Sequence, residues 1–355
     1  MVLVHIVEST ATGTLSMLTV LANSQSSKGH DVTVIYSERP ETPTNLHLLF
    51  NPGIHLINVN MNGMFRKLKS VFVLRKLYSK LTPDRIFLHS SFAGFIGRIS
   101  TVGLSIRPFY IPHCISFMRQ DIGFLKRGLF VAFEYFASVK PSIYVACSVS
   151  EKNQISKFLP FNNCQLIENA IDTSSWKPEP SSVIPNTVIT VGQIRPQKNP
   201  QLFAQISAAL TPVGFKFYWV GDGESDSEKQ LLIDSGVTIL GWKEPAEVKI
   251  LLQQSQIFLS TSLWEGLPVA PLEAMLSGCT AILSNCAGNI DIIDDTYNGF
   301  LFESKEECIS IFTSLLDNPS TIPFVSQNGI EHVKNHYGLQ RYVLEFDNLM
   351  TKFYS

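Results

Sequence analysis

The sequence predicts an α/β protein made of two doubly wound units, each a parallel sheet with helices on both faces. Three observations carry this expectation. Apolar, β-branched runs of five or six residues alternate with helical patterns along most of the chain. The alternation breaks at Trp176-Lys177-Pro178-Glu179-Pro180-Ser181-Ser182 and Pro185, then starts again. A chain of 355 residues also exceeds what one ordinary hydrophobic core holds and suits two domains.

In the first half, strands are expected at 2–7 and at Val32-Thr33-Val34-Ile35-Tyr36, with an amphipathic segment of about 12–28 between them. Further strands are expected at 54–59, 85–89, 107–111 and 143–147. After the break come strands at 187–191, 215–220, 237–240, 256–260 and 280–284. Helices near 199–210, 225–235, 244–254 and 268–277 separate them. The segments 304–317, 322–336 and 339–353 read as helices with no strand between them. The expected domains are 1–172 and 173–338, with the helix of about 339–355 packing back on the first. Open sheets of this kind bind ligands at the carboxyl ends of their strands, so two facing sheets would hold a substrate in a cleft between them.

Composition is globular, 45% hydrophobic and 16% charged. No charge-free apolar stretch reaches the roughly 18 residues of a membrane span; the longest, Gly128 to Ser138, is interrupted by Glu134. The N-terminus lacks a basic leader and reads as a buried strand, so a cytoplasmic protein is expected. The six cysteines are scattered, with no C-x-x-C pair and no histidine at metal spacing; neither a metal site nor a cofactor is expected. Net charge is −2, yet residues 1–170 carry 17 Lys and Arg against 9 Asp and Glu, and residues 171–355 carry 11 against 21. The basic half suits an anionic membrane or substrate.

The chemistry concentrates in Trp264-Glu265-Gly266-Leu267-Pro268-Val269-Ala270-Pro271-Leu272-Glu273. A strand ends near Ser260, a glycine-proline loop follows, and a helix starts near Pro268, where a first-turn proline is tolerated. Glu265 then lies at the strand's carboxyl end and Glu273 within the helix. Both carboxylates can accept hydrogen bonds from sugar hydroxyls, beside helix N-terminal amides suited to an anion. An ordinary capped surface helix has acidic residues in similar places, and on spacing alone both readings stand.

The run Ser260 to Gly278, with Ala287-Gly288-Asn289-Ile290-Asp291 and Asn298-Gly299-Phe300-Leu301-Phe302, resembles the donor site of glycosyltransferase family 4. Glu265 and Glu273 match that family's E-x7-E signature. The resemblance implies the GT-B architecture, two Rossmann-like domains facing across a cleft, and transfer with retention of anomeric configuration. It also implies that Glu265 approaches the transferred sugar, Glu273 binds the nucleotide ribose, and Gly266, Leu267 and Pro268 line the donor. Where the family has Gly-Gly-x-x-Glu, this chain has Ala287, Gly288 and Asp291.

A second match is Val191-Gly192-Gln193-Ile194-Arg195-Pro196-Gln197-Lys198-Asn199. The family usually has Gly-Arg-x-x-x-x-Lys here. Gly192 and Lys198 keep the pattern, Gln193 replaces the arginine, and Arg195 would share a strand face with position 193 and supply that charge. Cations at a strand–loop–helix turn suit a diphosphate; alone, the segment also fits a solvated basic loop. A third match, Tyr110-Ile111-Pro112-His113-Cys114, puts His113 where similar enzymes have a histidine facing the donor sugar; a structural hydrogen-bonding histidine is the other reading. Trp242, at a strand end, is a candidate for the base pocket or for the core. Thr12 and Gly13, in the loop after the first strand, and His89, at another strand end, are acceptor-side candidates.

Phe65 to Lys80 reads as a basic amphipathic helix. Its two readings are a peripheral contact through about 64–80 with anionic lipid at the cytoplasmic membrane face, and a packed helix with a solvated basic face. No aromatic base-stacking platform points to nucleic acid. The resemblance therefore implies a metal-independent transferase moving a sugar from a nucleotide diphosphate sugar (UDP- or GDP-linked). The acceptor would be a glycan or polyprenyl-diphosphate-linked glycan in O-antigen or capsule synthesis. The alternatives are a sugar-nucleotide epimerase or phosphorylase of the same architecture, and a non-catalytic nucleotide-sugar-binding subunit.

Overall fold

The computed structural model describes residues 1–8, 10, 12–39 and 42–353, without the side chains of Thr12 and Met64. It divides into two compact units, residues 1–169 with 343–355, and residues 170–342.

The first unit is a seven-stranded parallel sheet in the order β3-β2-β1-β4-β5-β6-β7. Its strands are β1 Val2–Val7, β2 Asp31–Tyr36, β3 His55–Asn58, β4 Arg85–His89, β5 Phe109–Ile111, β6 Ile143–Ala146 and β7 Asn163–Leu166. The central strands are fully buried, as near-continuous apolar runs such as Ile86-Phe87-Leu88 require when helices cover both faces. The helices are α1 Thr12–Ser27, α2 Met64–Leu81, α3 Ser91–Ser100, α4 Phe124–Ala137 and α5 Val149–Phe158. The chain's last helix, α12 Leu339–Lys352, brings Phe346 against Phe87, ring centroids 6.4 Å apart.

The second unit is a six-stranded parallel sheet ordered β10-β9-β8-β11-β12-β13. Its strands are β8 Ile184–Val191, β9 Lys216–Val220, β10 Val237–Gly241, β11 Ser255–Ser260, β12 Thr280–Ser284 and β13 Phe300–Phe302. Helices α6 Pro200–Leu210, α7 Asp226–Asp234, α8 Pro245–Gln253, α9 Val269–Leu276, α10 Lys305–Asp317 and α11 Thr321–His336 flank it. Phe203, Phe217, Trp219, Ile257, Leu259, Ile282, Phe302 and Phe312 form the buried core.

In both sheets the strand order reverses beside the unit's first strand, between β1 and β4 and between β8 and β11. At such a switch point the connections leave in opposite directions and open a crevice at the strands' carboxyl ends. Two strands, β7 and β13, lie outside the sequence expectation. Both are edge strands: Asn163-Cys164-Gln165-Leu166 lacks the apolar run of a central strand, and Phe300-Leu301-Phe302 is apolar but only three residues long.

Candidate active site

In the second unit, Lys198 and Glu265 meet at the switch point between β8 and β11. Past β8, Gly192 and Ile194 donate backbone hydrogen bonds to the carbonyls of Val220 (2.9 Å) and Asp222 (2.9 Å). That extended spacing buries Ile194 and leaves Gln193 and Arg195 on its more exposed flanks. A single 3-10 turn, Pro196–Lys198, then ends at Asn199, which has left-handed φ (50°) and whose side chain accepts from Leu202 N at the start of α6. The loop after β11 is fastened to this turn. Leu263 N donates to Gln197 O at 2.8 Å, and Thr261 Oγ1 donates to Lys198 O at 2.7 Å.

The result is a dense cluster around one carboxylate. Lys198 Nζ lies 2.7 Å from Glu265 Oε1, and Ser262 Oγ donates to the same oxygen at 2.7 Å. Gln197 Nε2 donates to Glu265 Oε2 at 3.1 Å and to Trp264 O at 2.8 Å. Side-chain exposure is 17% for Lys198 and 9% for Glu265, so the pair is largely shielded from water. A carboxylate has about four acceptor positions; the described residues use three and leave one on Oε2.

Glycines let the backbone close around this cluster. Gly288 has φ +87°, and a Cβ there would stand 2.7 Å from Glu265 Cβ and 2.8 Å from Gly266 O. Gly221, φ +133°, would put a Cβ 2.1 Å from Gly192 O, a carbonyl held by Trp219 Nε1 at 2.8 Å. Ala287 O accepts from Glu265 N at 2.9 Å, and Asp291 Oδ2 accepts from Gly288 N at 3.2 Å. The segment that departs from the family's Gly-Gly-x-x-Glu therefore still packs against Glu265 through its backbone.

Gly266, Leu267 and Pro268 form a buried turn, and Pro268 caps α9 rather than starting it. Glu273 follows one turn later. It is half-buried, and its carboxylate has no hydrogen-bond or ion-pair partner among the described residues. Desolvation pushes its carboxyl up to about 7. Arg195 is exposed. Trp242 is 60% exposed, which removes it from the core. Asp222 faces Lys229 at 3.5 Å.

In the first unit, His113 follows β5 with left-handed φ (57°), as does Cys114 (113°). Two bonds hold this unusual turn: the buried carboxylate of Glu151 accepts from Cys114 N (2.8 Å) and Ile115 N (2.7 Å) through Oε1. Its other oxygen accepts from Cys147 N at 2.8 Å. Burial pushes the Glu151 carboxyl up, and these N–H bonds oppose the shift. His89 is fully buried, with one ring nitrogen 3.0 Å from His5 and the other 3.0 Å from His113. Both of its ring nitrogens are thus engaged, one by His5 and one by His113. Thr12 and Gly13 belong to the first turn of α1 rather than to a loop; the side chain of Thr12, like residues Ser9 and Ala11, lies outside the described set.

Sequence reasoning passed over Gln197, Ser262 and Glu151. The first two sit inside the matched segments, but Gln197 reaches Glu265 only because two loops 68 residues apart in the chain meet, and Ser262 reaches it through the fold of the loop they share, three residues before it. Glu151 carried a local signal, the Ser148 cap three residues before it, which accounts for only one of its bonds.

Residues 12–175 match the family model described as Glycosyltransferase Family 4, and residues 175–331 match that of Glycosyl transferases group 1. The chain is 27% identical over 273 residues to UDP-Gal:alpha-D-GlcNAc-diphosphoundecaprenol alpha-1,3-galactosyltransferase of Escherichia coli, covering 69% of this chain and 68% of the relative. Among solved structures, sucrose-phosphate synthase of Thermosynechococcus elongatus superposes with a TM-score of 0.87 at 14% identity, covering 99% of both chains. Anabaena HepE, solved in complex with UDP-glucose, superposes at 0.82 with 16% identity, covering 99% of this chain and all of that one. Two doubly wound parallel sheets, the Lys198–Glu265 cluster at a switch point and two family models that together span residues 12–331 lead to one conclusion: the chain is a glycosyltransferase of family 4, with the GT-B fold.

Proposed function

We propose that the protein transfers a sugar, with retention, from a nucleotide diphosphate sugar to a lipid-linked glycan in the synthesis of a surface polysaccharide. The observation that carries the proposal is the shielded Lys198–Glu265 pair beside Gly192, where a cation and a carboxylate already share one desolvated site. In this reading Lys198 stabilises charge building on the departing diphosphate, and Arg195 and the first-turn amides of α9 add to it. Glu265 orients the transferred sugar through its open acceptor position. Glu273, unpartnered and half-buried, takes the ribose diol, whose two hydroxyls would satisfy it. His113 hydrogen-bonds a sugar hydroxyl.

The reaction needs no separate protein base. The acceptor oxygen attacks the anomeric carbon on the face from which the diphosphate leaves, the carbon–oxygen bond to the β-phosphate breaks, and a β-phosphate oxygen takes the acceptor's proton. The relative's printed name supports UDP-galactose as a donor to try first and a polyprenyl-diphosphate glycan as acceptor.

A lipid-linked acceptor calls for a membrane contact, and the first unit has a surface suited to one. On α2, Leu74 and Tyr78 are buried, yet Phe65, Leu68 and Phe72 point outward among Arg66, Lys69 and Lys76. On α4, Phe124 is 81% exposed, and Leu125, Leu129, Phe133 and Phe136 are exposed with it, beside Lys126. Outward phenylalanines between cations favour an anionic bilayer interface over a merely solvated basic face. Lys67 is withheld from this surface, being 3.0 Å from the buried Glu8 and over the Phe92 ring. No helix among the described residues is long and apolar enough to cross a membrane.

The donor reading is tested by thermal unfolding with a panel of UDP- and GDP-sugars. A ligand at 100 times its Kd adds about 2.7 kcal/mol to the folded state, so at least one sugar nucleotide should raise the melting temperature of wild type and not of Lys198→Met. No shift with any of them would overturn it.

A further inference from the structure

Three histidines step across the first sheet at its switch point. His5 lies on β1, His89 ends β4, and His113 follows β5. In the parallel register Val7 pairs with His89, and His89 pairs with Ile111. Each histidine is thus one strand over and two residues further along than the last, and a period of two keeps all three on the same face. Their rings nearly share a plane, with centroids 5.3 and 5.4 Å apart and interplanar angles of 26° and 16°.

The hydrogen bonds between them run in one direction. At the inner end, Gln25 of α1 lies between Met350 of α12 and His5, all buried. A thioether sulfur only accepts, so the Gln25 amide nitrogen faces Met350 Sδ (3.8 Å) and its oxygen faces His5 Nε2 (2.7 Å). His5 Nε2 must therefore carry a proton, and a neutral His5 leaves Nδ1 bare. His89 Nε2 must donate to that nitrogen at 3.0 Å, which leaves His89 Nδ1 bare. His113 Nε2 must then donate to His89 Nδ1 at 3.0 Å. Burial lowers the pKa of His5 and His113 to about 4 and that of His89 well below 6.5, so all three are neutral at pH 7. What emerges at the far end is His113 Nδ1, a buried bare nitrogen with no hydrogen-bond partner among the described residues.

We propose that Gln25, His5 and His89 are positioning residues that fix the tautomer of His113, so that its Nδ1 is a standing acceptor for one hydroxyl of the bound sugar. This rests on the reading of His113 as a sugar contact. An unmet buried acceptor is destabilising, and a ligand hydroxyl that donates to it removes that penalty. A carboxylate cannot donate, so the sugar presents a hydroxyl and not a uronate to His113. Gln25 thereby sets the hydrogen-bonding character of a ring three steps away.

The test is long-range proton–nitrogen NMR of the histidine-labelled full chain at pH 7, with His113 assigned through His113→Asn. The expected spectrum shows His5, His89 and His113 all protonated at Nε2, with a bare Nδ1. In Gln25→Leu the direction is no longer imposed, the two nitrogens of His113 move toward averaged shifts, and the donor KM rises about tenfold with kcat little changed. Gln25→Glu, which still accepts from His5, restores both. A wild-type His113 protonated at Nδ1, or already averaged, overturns the relay whatever the activity, and this holds even if Gln25→Leu does not fold. An ordered wild-type spectrum combined with normal transfer by His113→Asn instead supports the relay and removes His113 from the sugar.

Discussion

Replacing Lys198 by methionine separates two properties of the Lys198–Glu265 pair. The substitution leaves the Glu265 carboxylate in place with 9% of its side chain exposed and only Ser262 and Gln197 still donating. Removing one partner of a buried pair costs about 3–5 kcal/mol when nothing compensates. Two neutral hydrogen bonds of about 1 kcal/mol each persist, and Lys198 is not wholly buried, so a loss of ~2–3 kcal/mol is expected. The double variant Lys198→Met with Glu265→Gln has no stranded charge and should recover most of that stability. Transfer should behave differently, falling ~10²- to 10³-fold in both single variants and staying low in the double one. Urea denaturation and the initial rate of sugar transfer measure the two quantities on the same preparations. A double variant that is as unstable as the sum of the singles, or that regains activity along with stability, would refute the reasoning.

Glu273 gives stability a pH dependence. Its folded-state pKa of about 7 lies above the 4.5 of an unperturbed glutamate, so the native state holds the extra proton. Its contribution is fully present below about pH 4.5 and is lost as pH rises to about 7. Glu273→Gln should lack that decline, gaining on the order of 1–2 kcal/mol over wild type between pH 4.5 and 8 in ligand-free denaturation curves; parallel curves for the two proteins would show the carboxyl to be ordinary. Nucleotide binding to wild type at pH 6.5 should release a fraction of a proton, seen as a buffer-dependent heat in calorimetry, and Glu273→Gln should abolish it. Gly288→Ala places a methyl at φ +87° against Glu265 and the Gly266 carbonyl. It should cost about 2 kcal/mol or more and reduce transfer at least tenfold; an unchanged melting temperature and rate would show that the turn is slack. Phe124→Ser with Phe136→Ser should lower sedimentation with anionic vesicles several-fold while leaving thermal stability within about 0.5 kcal/mol, because both side chains are exposed. Equal vesicle binding would remove α4 from the membrane surface.

Central strands were legible in the sequence because burial on both faces demands near-continuous apolar runs, as in Val2-Leu3-Val4 of β1 and Ile257-Phe258-Leu259 of β11. The edge strands β7 and β13 were not, since Asn163-Cys164-Gln165-Leu166 has no apolar run and Phe300-Leu301-Phe302 is only three residues long. Glu265, Glu273 and Lys198 could be picked out because each lies in a recognisable segment, Lys198 and Glu265 in the turns after strands and Glu273 within the helix that follows Glu265. Their environments could not: that Lys198 bonds Glu265 while Glu273 stands alone follows from β8 and β11 being neighbours, which sequence order hides. The histidine relay was hidden for the same reason. Its three members are isolated in the sequence, His5 within a strand, His89 at the end of one and His113 just past another, and become a line only through the register of β1, β4 and β5. The basic helix at 64–80 was visible by charge, but the outward phenylalanines of α4 required knowing which face the sheet covers.

The most direct measurement is the product formed from a UDP-sugar and a polyprenyl-diphosphate-linked GlcNAc acceptor, with its anomeric configuration read from the proton coupling constant by NMR. UDP-galactose is the first donor to try. Wild type should give a single added sugar with the donor's α configuration, and Glu265→Gln, folded as judged by its melting curve, should give at most about one hundredth of that rate. A β-linked product, or a Glu265→Gln enzyme as fast as wild type, would contradict the assignment of this site.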